Sequence, residues 1–360
     1  MPGPDERSEA ITQLRQSSQS LLSHLAESGE ALLVLSCGVV VINESHAYAK
    51  TIRGFEADVD ERFIRFVYGV AHEAVHMIQL LSTPFVLDIS IEYANLCART
   101  QARRKAGVPE ASWLPDVLRD YRTTQARLSA SGPGFSTLQV LEAQAVIEGF
   151  RGAFSRYAEL GLAKTVQIAH GLESLYAEAI GRLLASFGFT FTFEVVPKLC
   201  WIAMHTRDPG RTFTQDLLSL GNGDLTPLET MSACEICERF GMDPTKLARS
   251  MRLRYPEMRN LAAHALFGDY FDVLERAPNP ETYLQRVMHP GRDPRDGRRA
   301  TGANLMPPLT IFNDEGFLMN GPLKDKGWDV ADPLIRISTV ITQTLEWLDE
   351  RAADMPDTSQ

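Results

Sequence analysis

No stretch of this 360-residue chain is apolar for the roughly 20 residues that a membrane helix needs. The longest candidate, ALLVLSCGVVVI at 31–42, is too short and rich in Val, and it reads as a buried strand. No membrane partner is expected. Positive charge is also in short supply. Against 46 Asp and Glu stand 36 Lys and Arg, for a net charge of −10 and a pI near 5.4. Such a surface repels phosphate backbones, which argues against nucleic acid as a partner. Cysteine is scarce and scattered, at Cys37, Cys97, Cys200, Cys234 and Cys237. An odd, dispersed set predicts free thiols rather than a disulfide framework. The one CxxC, Cys234 to Cys237, has neither the second pair nor the histidine pair of a structural zinc site, and it reads as incidental to a helix over 228–240. The first twenty residues are polar and acidic and do not form a secretory leader, so a cytoplasmic location is expected.

What is present is helical periodicity interrupted by turn chemistry. The pattern predicts a disordered tail over 1–10, a helix over 11–28, the strand at 31–42 and a possible return strand over 43–52. Asp60 is a candidate N-cap for a helix that Pro84 stops. Helices follow over 88–105, 113–129 and 136–158, and again over 162–187. FTFTFEVV, near 188–196, reads as a short strand or an extended linker. Further helices are expected near 196–206, 212–220, 227–240, 245–254, 257–276 and 280–288. The Gly- and Pro-rich stretch 289–327 reads as a long loop, functional or mobile, and Asp332-Pro333 opens a last helix. The expected class is mainly α, an α+β arrangement with a small N-terminal β element. A metal-binding domain would cover 11–206, a helical C-terminal region 207–352 would pack on it, and 353–360 would form a tail.

The helix before Pro84 carries VYGVAHEAVHMIQLLST, residues 67–83. At about 100° per residue, His72, His76 and Gln79 fall within about 60° of one another. Between 66 and 81 there is no Lys or Arg, so this polar stripe is not an ordinary solvated face. Two imidazoles at i and i+4 reach one tetrahedral cation together. Glu73 sits beside them, placed to take a proton from water activated by the ion without filling a ligand position.

A catalytic zinc site needs a third protein ligand and an open position. Two carboxylates qualify. Glu142 shares a face with Ala145, Val146, Gly149 and Ala153, while Gln144, Glu148, Arg151 and Ser155 read as the solvated side of the same helix. A carboxylate on a small-residue face needs a buried partner, either a metal or an arginine. Glu173 lies on an apolar face with His170 one turn away. These two, like Gln79, could orient the ligands from behind or serve as alternative ligands.

HEAVHMIQ followed by EAQA resembles zinc metallopeptidases of the gluzincin type, nearest to bacterial proteins with an HExxHxxQ helix and a downstream E-[GA]-x-A helix. The resemblance covers about 30 residues. It implies a zincin-like helical domain with His72, His76 and Glu142 as ligands and Glu73 as general base. In place of the Asn-Glu pair usual in gluzincins, Leu141 precedes Glu142. Candidates for stabilising an oxyanion are Tyr176, His205 and His170. The expected function is zinc-dependent hydrolysis of a peptide or small amide. The Arg-bearing loop 292–299 is a possible lid or a solvated charge run. One rival is a non-haem iron or di-iron oxygenase on a helical bundle, because Glu73 and His76 also form an ExxH pair. Another is a non-catalytic metal-binding protein.

Overall fold

The computed structural model describes residues 31–34, 39–43, 61–129, 134–157, 174–220, 225–254, 279–290, 309–313, 316–320 and 328–355. The helices expected over 11–28 and 257–276, the return strand beyond 43, and the 292–299 loop lie outside them.

The chain is mainly α. Helix α1 spans Glu61–Ser82 and α2 spans Pro84–Lys105. The break between them is local chemistry. Thr83 is extended (φ −129°, ψ 134°), as a residue before proline prefers, and Pro84 occupies the first turn of α2. The Thr83 hydroxyl donates to the Gln79 carbonyl (2.7 Å) and that of Ser82 to Ile78 (2.6 Å), which closes the last turn of α1. The segment Ala71–Ser82 meets α2 at 94°.

Next come α3 (Leu114–Ser129), α4 (Thr137–Tyr157), α5 (Ser174–Glu194) and α6 (Val196–Ala203). The expected strand or linker near 188–196 is helical instead, as the end of α5. Gly188, at φ 76°, interrupts that helix. On either side the phenylalanines stack at i and i+4, Phe187 on Phe191 (4.9 Å) and Phe189 on Phe193 (4.3 Å). Phe191, Thr192 and Val195 are fully buried. Burial overrides the β-propensity of alternating Phe and Thr.

Beyond these lie α7 (Pro209–Leu220), α8 (Thr226–Thr230), α9 (Ala233–Arg239), α10 (Pro244–Arg254), α11 (Pro280–Met288) and α12 (Trp328–Asp354). The single helix expected over 227–240 is two short ones. Ser232 caps α9 in a reciprocal box with Glu235, a signal legible as S-x-x-E. Cys234 and Cys237 sit on α9 as free thiols, as do Cys97 and Cys200 elsewhere.

The expected strand over 31–42 is a hairpin, with β1 (Ala31–Val34) antiparallel to β2 (Val39–Asn43). Within the stretch read as a long loop lie β3 (Leu309–Asn313) and β4 (Gly316–Asn320), also antiparallel. Parallel pairing of β2 with β3 joins the hairpins in the order β1-β2-β3-β4. One large apolar core runs from Tyr68 to Met288. A smaller one ties α2, α3 and α12 through Leu96, Trp113, Val117, Tyr121 and Leu348. Among the described residues no single helix is long and apolar enough to cross a membrane; two bent helix pairs meet that test by length and composition.

Among the described elements α1 packs most extensively on α4, and two glycines let them approach closely. A Cβ on Gly149 would stand 2.9 Å from the Tyr68 ring and 3.3 Å from the His72 Cβ; one on Gly152 would stand 3.0 Å from the Ala71 Cβ. Gly149→Val is therefore expected to destabilise the fold by about 1–3 kcal/mol through overpacking. Urea unfolding measures this, and a variant as stable as wild type would show that the helices have room to spare.

Candidate metal centre

Helix α1 presents His72 and His76 one turn apart, and α4 brings Glu142 against them. The three donor atoms form a nearly equilateral triangle. His72 Nε2 lies 3.1 Å from Glu142 Oε2, His76 Nε2 lies 3.3 Å from the same oxygen, and the two nitrogens are 3.1 Å apart. A tetrahedral ion with bonds of about 2.0–2.1 Å holds its ligands about 3.3–3.4 Å apart, so the triangle has the size such an ion requires. His76 and Glu142 are buried, and the His72 side chain is only 11% exposed. Among the described residues this is the one His/Cys/Asp/Glu group with metal-binding geometry.

Electrostatics make the same demand. Burial pulls the His76 pKa down, but the Glu142 carboxylate beside it, with help from Glu73 and Gln79, lifts it to about 9. Burial likewise pushes Glu142 up, and the two histidines outweigh it, holding the carboxyl well below the usual carboxylate range. Both shifts express one attraction. Glu142 Oε2 is within ion-pair reach of both rings, yet it is buried without a well-directed hydrogen bond. Three electron-rich atoms this close need positive charge among them, which a proton on His76 supplies in the metal-free site and a bound cation would supply in its place. A divalent metal fits the donor set and the spacing.

The surroundings orient the ligands. His76 Nδ1 lies 2.8 Å from Gln79 Oε1, so Gln79 stands behind His76 rather than among the donor atoms. Tyr68 stands behind His72, its hydroxyl 3.4 Å from Nδ1, and packs on Phe150 at 4.8 Å between centroids. In sequence Tyr68 is only a phenol on an apolar helix. Glu73 is buried and lies outside the donor triangle.

No protein family, curated protein or solved structure matches this chain.

Not every sequence-predicted residue comes to the triangle. His170 and Glu173 lie outside the described residues, and Tyr176 falls in the first turn of α5. His205 is elsewhere. Its ring lies against that of Trp201 (4.1 Å between centroids, tilted by 55°) and its Nδ1 donates to the Trp201 carbonyl, while the Trp201 indole donates to Ser82 at the far end of α1. Ser82 is ten residues from His72 and so about 15 Å along the helix. His205 is therefore placed beside the end of α1 that lies away from His72.

The solvated face expected on α4 is a correction. Gln144 and Glu148 are fully buried, and the Arg151 side chain is 13% exposed. Glu148 meets His289 Nδ1 at 2.8 Å and Arg151 at 3.2 Å, and Arg151 reaches Glu194 at 3.0 Å. Arg151 is thus engaged by Glu148 and Glu194, while Glu142 meets the two histidines. Sequence reasoning missed His289, which follows α11 just before a Gly- and Pro-rich stretch and shows no pattern of its own.

His205 carries a pH prediction. Burial lowers its pKa to about 4, from about 6.5 in the unfolded chain. Between these values the unfolded state takes up the proton more readily, so stability is full above about 6.5 and is lost as pH falls towards 4. The His205 contribution to that loss is on the order of 1–3 kcal/mol. Urea titrations at pH 7 and pH 4.5 should show a smaller drop for His205→Gln than for wild type. An unchanged drop would assign the acid sensitivity to other groups.

Proposed function

We propose that this protein is a zinc-dependent hydrolase of the metallopeptidase or amidase type. The observation that supports it best is the convergence of His72 Nε2, His76 Nε2 and Glu142 Oε2 within 3.1–3.3 Å, with Glu73 next to a ligand and outside the triangle. Two imidazoles of a helical HExxH with one carboxylate from a second helix are the ligand set of hydrolytic zinc with one position open. When bound there, zinc supplies Lewis acidity that polarises a carbonyl and lowers the pKa of water towards about 7.

The protein's own groups do the rest. His72 and His76 would hold the ion through Nε2. Glu142 would contribute the single negative charge among the ligands, so that a divalent ion held there would keep a net positive charge. Glu73 takes the proton of the attacking water as its oxygen bonds to the carbonyl carbon. It then returns that proton to the departing nitrogen as the C–N bond breaks. Strand β1 is an edge of the sheet among the described residues and runs alongside α1, where its backbone can pair with an extended chain. That favours a peptide as substrate.

The test is metal analysis of the purified protein with hydrolysis of a quenched fluorescent peptide library. About one zinc per chain and chelator-sensitive cleavage are expected. Iron with oxygen consumption would replace this reading with an oxygenase. Zinc without hydrolysis would make the site a binding centre.

A further inference from the structure

The two fully buried glutamines near the site, Gln79 and Gln144, are joined in a chain of hydrogen bonds whose direction can be read. The Gln144 amide nitrogen lies 3.3 Å and 3.2 Å from the carbonyl oxygens of Val287 and Met288. These belong to the last turn of α11, where a helix leaves carbonyls without partners of its own. A carbonyl only accepts, so Gln144 must turn its NH2 group towards α11 and its oxygen away. That oxygen lies 3.0 Å from Gln79 Nε2, which also lies 2.9 Å from the Leu141 carbonyl. Gln79 must therefore donate on this side and present its own oxygen to His76 Nδ1. Facing an oxygen, Nδ1 carries a proton whether the ring is charged or neutral, so the proton that His76 gives up to become neutral is the one on Nε2, which leaves that lone pair towards the donor triangle.

We infer that Gln79 and Gln144 are positioning residues that lock His76 in the Nδ1–H tautomer, with the end of α11 as the anchor. The inference rests on the metal-site reading for its consequence, ligation through Nε2, but the tautomer itself follows from the hydrogen bonds alone. It gives a helix far along the chain a part in ligand geometry. His289, held by Glu148 next in sequence to Met288, pins the same turn. The Leu141 carbonyl is a second anchor for Gln79, so loss of Gln144 weakens the lock and loss of Gln79 removes it.

Two measurements test this. In the first, long-range 1H–15N spectra of histidine-labelled, metal-free protein, recorded at a pH above about 9 where the ring is neutral, should show a slowly exchanging Nδ1 proton on His76 in wild type that is lost in Gln79→Leu. In the second, zinc affinity is measured by chelator competition with folding checked by circular dichroism. Gln79→Leu should bind zinc about 10–100-fold more weakly, the range for groups that orient ligands. Gln144→Leu should lose less, and the double variant should be no worse than Gln79→Leu alone, because both act through one bond. A wild-type His76 with a bare Nδ1, or additive effects of the two substitutions, overturns the proposal. If wild type shows the protected Nδ1 proton yet binds no zinc, the tautomer lock stands and the zinc reading falls.

Discussion

Glu142→Ala is expected to lower zinc affinity by at least about 100-fold, more than the 10–100-fold typical of groups behind the ligands. Glu142 is the single anionic member of the triangle, and both imidazoles lie 3.1–3.3 Å from its Oε2. Without it two neutral nitrogens remain, too few to hold the ion or set its geometry. Glu142→Gln keeps the shape of the buried side chain and removes the charge, so it separates lost ligation from lost packing. The Gln variant should fold like wild type and still bind zinc poorly. Elemental analysis of wild type and both variants measures this directly. Full zinc after Glu142→Ala would mean that another carboxylate completes the site, with Glu173 the first to try.

Glu73→Gln should do the opposite. Zinc content should stay at the wild-type level, because Glu73 is outside the donor triangle. Peptide hydrolysis should fall by about 10²–10⁴, the range that a positioned general base contributes. The glutamine has nearly the same shape but cannot take up the proton from water. Retained cleavage would remove Glu73 from the mechanism. Loss of metal would make Glu73 a ligand and revive the ExxH pairing of a di-iron bundle.

Much of the helical order was legible because its signals are local. Pro84 ends α1 through its missing N–H and the extended conformation it imposes on Thr83. The histidine stripe was visible because α1 has no Lys or Arg beside it. Where reading by pattern failed, a partner from elsewhere had changed the outcome. Phe189 to Phe193 alternate like a strand, but burial of Phe191 and Thr192 holds them in α5. The run at 31–42 looked like one strand, and its turn and its partner β3 became apparent only with the fold. Gln144, Glu148 and Arg151 carry the periodicity of a wet face, yet the first two are wholly buried.

Sequence alone settled that His72 and His76 project together from one helix and that Glu73 stands beside them, because helical spacing is a property of the backbone. Tertiary structure decided which acid meets them. Glu142 and Glu148 lie on the same helix about 120° apart. One faces α1 and two imidazoles, and the other faces His289 and Arg151. Periodicity says which residues share a side of a helix. What covers that side depends on segments distant in the chain, and the same carboxylate chemistry becomes a metal ligand or a buried ion pair according to what arrives there.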